Sequence, residues 1–169
     1  MSATPTRSCG TAAGPGDSDA VEAVSRLSPR LAAAVGALPL RPGHRVLEIG
    51  CGSGAAARAV AGLVGPDGHV LGVDRSERAV SRAIASSGEL IRVGLLRFAC
   101  TPVEDLVLPD DTPPFDVAVA IRVGAFDGRH PEVRDTALHR VRAALRPGGR
   151  FYIDSPSPGI ALQEIVFDT

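Results

Sequence analysis

A chain of 169 residues, 44% hydrophobic and 22% charged, has the length and make-up of one globular domain with a full core. A net charge of −1, with five Phe, one Tyr and no Trp, supplies neither a basic footprint nor stacking platforms for nucleic acid. All 18 basic residues are arginine, so no lysine is present to serve a P-loop, a pyridoxal Schiff base or a kinase strand.

Residues 1–17 are rich in Ser, Thr, Gly, Pro and Ala and carry too little apolar content to bury. They read as a disordered tail, which leaves 18–169 as a single domain. The tail has no apolar core of a secretory signal, and no run approaches the roughly 20 apolar residues of a membrane span. A cytoplasmic location follows as the simple reading. Cys9, Cys51 and Cys100 form no C-x-x-C pair, so neither a disulfide framework nor a metal site is expected.

The first helical segment has Asp17, Ser18 or Asp19 as candidate caps. Pro29 breaks or restarts it, with Ser28 as a second N-cap. After the turn "RPG", the run "HRVLEIG" predicts a buried strand. "AAARAVAGLVG" predicts a helix that stops at Gly65 and Pro66. "GHVLGVD" predicts the second strand, and "SERAVSRAIASSGELIRVG" a helix capped by Ser76 with a possible kink at Gly88. "LLRFACTP" and "FDVAVAIRV" predict strands three and four. "PEVRDTALHRVRAAL" predicts a third long helix with Pro131 near its first turn, and "RFYID" a fifth strand after the turn "RPGG". Strands alternating with helices imply βαβ units: a three-layer, doubly wound, Rossmann-like α/β fold with a mostly parallel sheet covered on both faces.

The stretch "VLEIGCGSG" lies between the first strand and its helix. Glycine loses the most backbone freedom on folding, so Gly50, Gly52 and Gly54 stabilise neither element. They suit a loop that turns sharply and lets a ligand approach a helix N-terminus. The run "GCGSGA" also fits G-x-G-x-x-G/A with Ala55 last, so a dinucleotide remains open at this point. Asp74 ends the second strand, where an acid accepts the hydroxyls of an adenosine ribose. Glu48, two residues before the first glycine, is unwelcome beside a pyrophosphate and suits a ligand carrying positive charge.

These blocks, followed by "PVEDLVLPDDTPPFDVAVA" and "LRPGGRFYI", resemble the class I S-adenosylmethionine-dependent methyltransferases, in particular small bacterial methyltransferase-domain proteins. The resemblance runs from about Leu40 to Asp154. It implies S-adenosyl-L-methionine as cofactor, with Glu48, Gly50, Cys51, Gly52 and Gly54 at its methionyl part. Asp74 would take the ribose and Arg75 would lie beside the adenine. Pro102, Val103 and Glu104 would line the adenine pocket, and Ile121 would face the cofactor. Arg122 would face cofactor and substrate, as a receptor for a substrate carboxylate or as a partner of Glu104. Two departures stand out. Pro102 occupies a place where the family often has an acid. Only "SPSPGIALQEIVFDT" remains beyond the fifth strand, so the family's C-terminal antiparallel hairpin is expected to be shortened or missing. An uncovered sheet edge there would favour a homodimer.

No catalytic residue is identified outright. Asp127, His130 and Asp154 are the candidate bases, all near the ends of strands four and five. The expected activity is methyl transfer to a small-molecule acceptor, without nucleic acid, membrane or metal. The alternatives are a non-catalytic methyltransferase-like binding protein and, behind it, an NAD-dependent oxidoreductase.

Overall fold

The computed structural model describes residues 22–167. The expected tail and the candidate caps Asp17, Ser18 and Asp19 lie outside them. Six strands form one sheet: β1 (Arg45–Ile49), β2 (His69–Asp74), β3 (Leu96–Cys100), β4 (Phe115–Ala120), β5 (Leu145–Asp154) and β6 (Leu162–Ile165). Their order is β3-β2-β1-β4-β5-β6. The first five are parallel to their neighbours, and β6 runs antiparallel to β5. The winding reverses between β1 and β4, and a switch point of this kind opens a crevice at the strands' carboxyl ends.

After a helical stretch at residues 22–25, the helices are α1 (Pro29–Ala37), α2 (Ala55–Val64), α3 (Glu77–Ala85), α4 (Gly88–Arg92) and α5 (Arg134–Ala144). On one face of the sheet, α1 and α2 pack on Val46, Val70, Leu96 and Val117. Ala57, Ala59 and Ala61 of α2 are fully covered. These small side chains let the helix lie close to the strands while keeping the strongest helix propensity. On the other face, Ala137, Val141 and Ala144 of α5 cover Leu47, Phe115, Ala118 and Phe151. Both faces of the central strands are thus buried, as the continuous apolar runs predict.

Four expectations need adjustment. The segment after β2 is two helices, because the chain turns at Ser86 and Ser87 and Gly88 opens a new one. Strand four stops at Ala120, since Arg122 adopts φ 59 and leaves the extended region. Pro131–Val133 forms a 3-10 turn and α5 begins only at Arg134. "RPGG" is no free turn but a bulge inside β5: Phe115 pairs with Leu145 while Val117 pairs with Arg150. Gly148 at φ 74 permits that bulge, and a side chain on Gly149 would press on the carbonyl of Phe115 at 3.0 Å. The C-terminal hairpin is present in the shortened form expected: among the described residues one strand, β6, follows β5 and pairs antiparallel with it in register Tyr152–Glu164.

Candidate functional site

The turn after β1 is built from three left-handed glycines, Gly50 (φ 72), Gly52 (φ 54) and Gly54 (φ 76). They are not equivalent. A Cβ on Gly50 would stand 2.7 Å from Val123, and one on Gly54 would stand 2.7 Å from Phe98. A Cβ on Gly52 would meet nothing within 4 Å, so its side faces open space. Gly54 therefore serves packing, while Gly50 allows the loop after β4 to close over β1.

Asp74 ties this turn to its neighbours. Gly52 N–H donates to Asp74 Oδ2 and Ser76 N–H to Oδ1, each at 2.8 Å. The Asp74 carbonyl accepts from Thr101 N–H at 2.9 Å. Three loops, after β1, β2 and β3, are thus fixed by one residue. Each carboxylate oxygen keeps a further lone pair for a ligand hydroxyl. A cavity of about 340 Å³ opens beside it, lined by Gly50, Asp74, Arg75 and Thr101–Glu104 on one side and Val123, Gly124 and His130 on the other.

Glu48 lies on the opposite side of Gly50. It is only 4% exposed, and its Oε2 has no hydrogen-bond partner. Burial pushes its carboxyl up to about 8, against the opposing pull of the Ala57 N–H and Arg58. It lines a cleft of about 270 Å³ with Ser28, Arg30 and Leu31 of the α1 segment and with Cys51, Ile121 and Arg122. Gly50 and Arg122 line both the cavity and the cleft, so the two adjoin across them. Burial pushes the Cys51 thiol up, with Glu48 and Asp74 adding to the effect, which leaves it an inert wall.

The loop after β4 is held by arginine–acid contacts. Arg122 N–H donates to Asp154 Oδ1 at 2.6 Å, and Asp154 Oδ2 pairs with Arg30. The Arg122 carbonyl accepts from Arg129 at 2.7 Å. None of the ion pairs among the described residues involves the Arg122 guanidinium, so the alternative partnership with Glu104 is not formed. Asp127 is bound to Arg129, whose hydrogen bonds hold its carboxyl below the usual range. Asp127 and Asp154 line a third cleft of about 460 Å³ together with Arg30, Arg122 and Arg129. His130 is the one of the three candidate bases that lines the Asp74 cavity. It lies over Gly124, where a Cβ would come within 2.4 Å of its ring, and its Nδ1 stands 3.2 Å from Glu132.

The structure therefore brings Asp74, Arg75, Pro102, Val103, Glu104 and His130 around one cavity, and Glu48, Cys51 and Ile121 around the adjoining cleft. Gly52 and Gly54 shape the turn and line neither. Sequence reasoning missed Ser28, Arg30 and Leu31, whose spacing carries no ligand signal. It also missed Val123 and Gly124, whose small size after a strand end is the trace of the closure over Gly50.

A model of the family described as "Methyltransferase domain" matches residues 46–149. A ubiquinone/menaquinone biosynthesis C-methyltransferase, UbiE, from Ectopseudomonas mendocina is 32% identical over 131 residues, covering 77% of this chain and 49% of that protein. The 27-O-demethylrifamycin SV methyltransferase of Amycolatopsis mediterranei is 35% identical over 141 residues, covering 81% and 48%. Among solved structures, TrmN from Thermus thermophilus superimposes with a TM-score of 0.60 at 26% identity, covering 79% of this chain and 40% of that one. The chain spans about half the length of the relatives it matches in sequence.

Proposed function

This chain belongs to the methyltransferase-domain family of class I S-adenosylmethionine-dependent methyltransferases, and we propose that it transfers a methyl group from S-adenosylmethionine to a small-molecule acceptor. One observation carries the reading: Gly50 lines both the Asp74 cavity and the Glu48 cleft. A ligand laid across Gly50 would put ribose hydroxyls at Asp74 and a cationic amino acid end at Glu48. The residues fit such a cofactor, because the buried Glu48 Oε2 lacks a partner that an ammonium would supply.

When bound, S-adenosylmethionine supplies a methyl group on a sulfonium, open to in-line displacement. The chain's part is positioning. Asp74 would accept the ribose hydroxyls, Arg75 and Pro102–Glu104 would flank the adenine, and Ile121 and Arg122 would close the methionyl end. His130 would accept the acceptor's proton, since Asp127 and Asp154 are already engaged by arginines. That engagement also favours a second reading, a fold that binds cofactor without turnover.

The names of the quinone and rifamycin methyltransferases among the relatives, and the net charge of −1, favour a small ring-bearing acceptor over nucleic acid. No helix among the described residues is long and apolar enough to cross a membrane. The test is transfer of a labelled methyl group to a panel of phenols and quinols. The proposal expects turnover with at least one of them, and a kcat about 100-fold lower in H130Q. Tight cofactor binding with no transfer to any acceptor would select the non-catalytic reading.

A further inference from the structure

A separate groove of about 770 Å³ lies on the sheet face that carries α5. The crossover from β3 to β4, residues 101–114, contains a 3-10 turn at Val103–Asp105 and no helix. Leu71 of β2 and Ala99 of β3 therefore stay only half-buried, and Val107 of the crossover is 70% exposed. Register places Arg45 beside His69 and Leu71 beside Arg97. With the two-residue period of a strand, all four point onto this one face. The arginines and the histidine stand near the amino ends of their strands, remote from the Gly50 turn.

Arg45 on β1 and Arg97 on β3 flank β2, and their like charges repel across it. No ion pair among the described residues includes the guanidinium of Arg45 or of Arg97. Arg45 instead donates to the Pro113 carbonyl at 3.2 Å and lies over the Phe115 ring. Burial lowers its pKa and Arg97 adds to this, against the pull of Asp116. The same two arginines add to the lowering that burial imposes on His69. The acids of the groove, Asp105 and Asp111, belong to the crossover loop.

We propose that this groove binds an amphipathic anion, a carboxylate on an apolar tail. Arg45 and Arg97 hold the head, and Leu71, Ala99, Leu106 and Leu108 hold the tail. An anion there relieves the repulsion, and the tail covers the half-buried face. Thr101 lines both this groove and the Asp74 cavity, so the tail end reaches the rim of the first site.

The probe is decanoate, titrated calorimetrically into the full chain, with acetate and decanol as controls. Arg97 is exposed on the edge strand and Val107 on the crossover, so R97Q and V107D are expected to fold, checked by their melting curves. Decanoate is expected to bind at one site, about tenfold tighter than acetate or decanol and about tenfold more weakly to either variant. Equal binding of decanol, unchanged binding to R97Q, or no binding would overturn the proposal. So would complete displacement by S-adenosylhomocysteine. A concentration-dependent dimer abolished by both substitutions would assign the groove to a second copy of the chain and overturn it as well.

Discussion

Glu48 combines full burial, one unpartnered oxygen and a carboxyl pushed from 4.5 to about 8. Between these values the unfolded chain has lost the proton and the folded chain keeps it. Folding stability from this residue is fully present below about 4.5, falls as pH rises, and levels off above about 8. E48Q removes this dependence, so thermal melts from pH 5 to pH 9 should show the parent losing Tm relative to E48Q. Binding of a cationic cofactor has the opposite sign, because it favours the ionised carboxylate. Affinity for S-adenosylhomocysteine should rise with pH up to about 8 with release of one proton, and should be weaker and pH-independent in E48Q. Calorimetry in buffers of different ionisation enthalpy reads that proton directly. The glycines separate by the same residue-level reasoning. G54A meets Phe98 at 2.7 Å in a left-handed conformation and should cost about 3–4 kcal/mol in urea denaturation. G52A meets open space and should cost only the conformational penalty, about 1–2 kcal/mol. Arg122 is the non-glycine counterpart at φ 59, so R122G should stabilise the fold by up to about 1 kcal/mol.

At the scale of elements, β6 replaces the missing cover of the sheet edge. It pairs along Phe151–Asp154, brings Glu164 to Arg150, and is followed by Phe167, whose ring stacks on Phe151 at 6.2 Å between centroids. Truncation after Gly159 should therefore destabilise the domain by about 2–4 kcal/mol and promote self-association through the bared β5 edge, read by denaturation and sedimentation. The elements also show what was legible in the sequence. β1, its glycine turn and α2 were readable because each signal is local: a buried run, then left-handed turns, then an alanine-rich helix. The bulge at "RPGG" was not, because it depends on pairing with the distant strand β4, and the division of α3 from α4 showed only as a kink at Gly88 because the turn at Ser86 and Ser87 carries no proline or glycine of its own. The α1 segment was legible as a helix start at Ser28 and Pro29. Its place beside Glu48 was not, since the Arg30–Asp154 contact joins residues far apart in the chain. For the same reason the site was half legible. Glu48, Asp74 and the glycines announce themselves by position, whereas Val123, Gly124 and Arg30 enter only through tertiary closure.

At the scale of the molecule, reversal of winding between β1 and β4 sets Gly50 against Val123 and opens a cavity on one side and a cleft on the other. In the proposed function one ligand spans both, with an adenosine at Asp74 and an ammonium at Glu48. β3 and β6 are the edge strands of the sheet, and a homodimer through such an edge stays a proposal. The most direct test is calorimetric titration of the full chain with S-adenosylhomocysteine, with NAD as control, on the parent and on D74N and E48Q. Micromolar binding of S-adenosylhomocysteine alone is expected, weakened about tenfold or more by either substitution. Binding of NAD in preference, or S-adenosylhomocysteine binding indifferent to both substitutions, would contradict it.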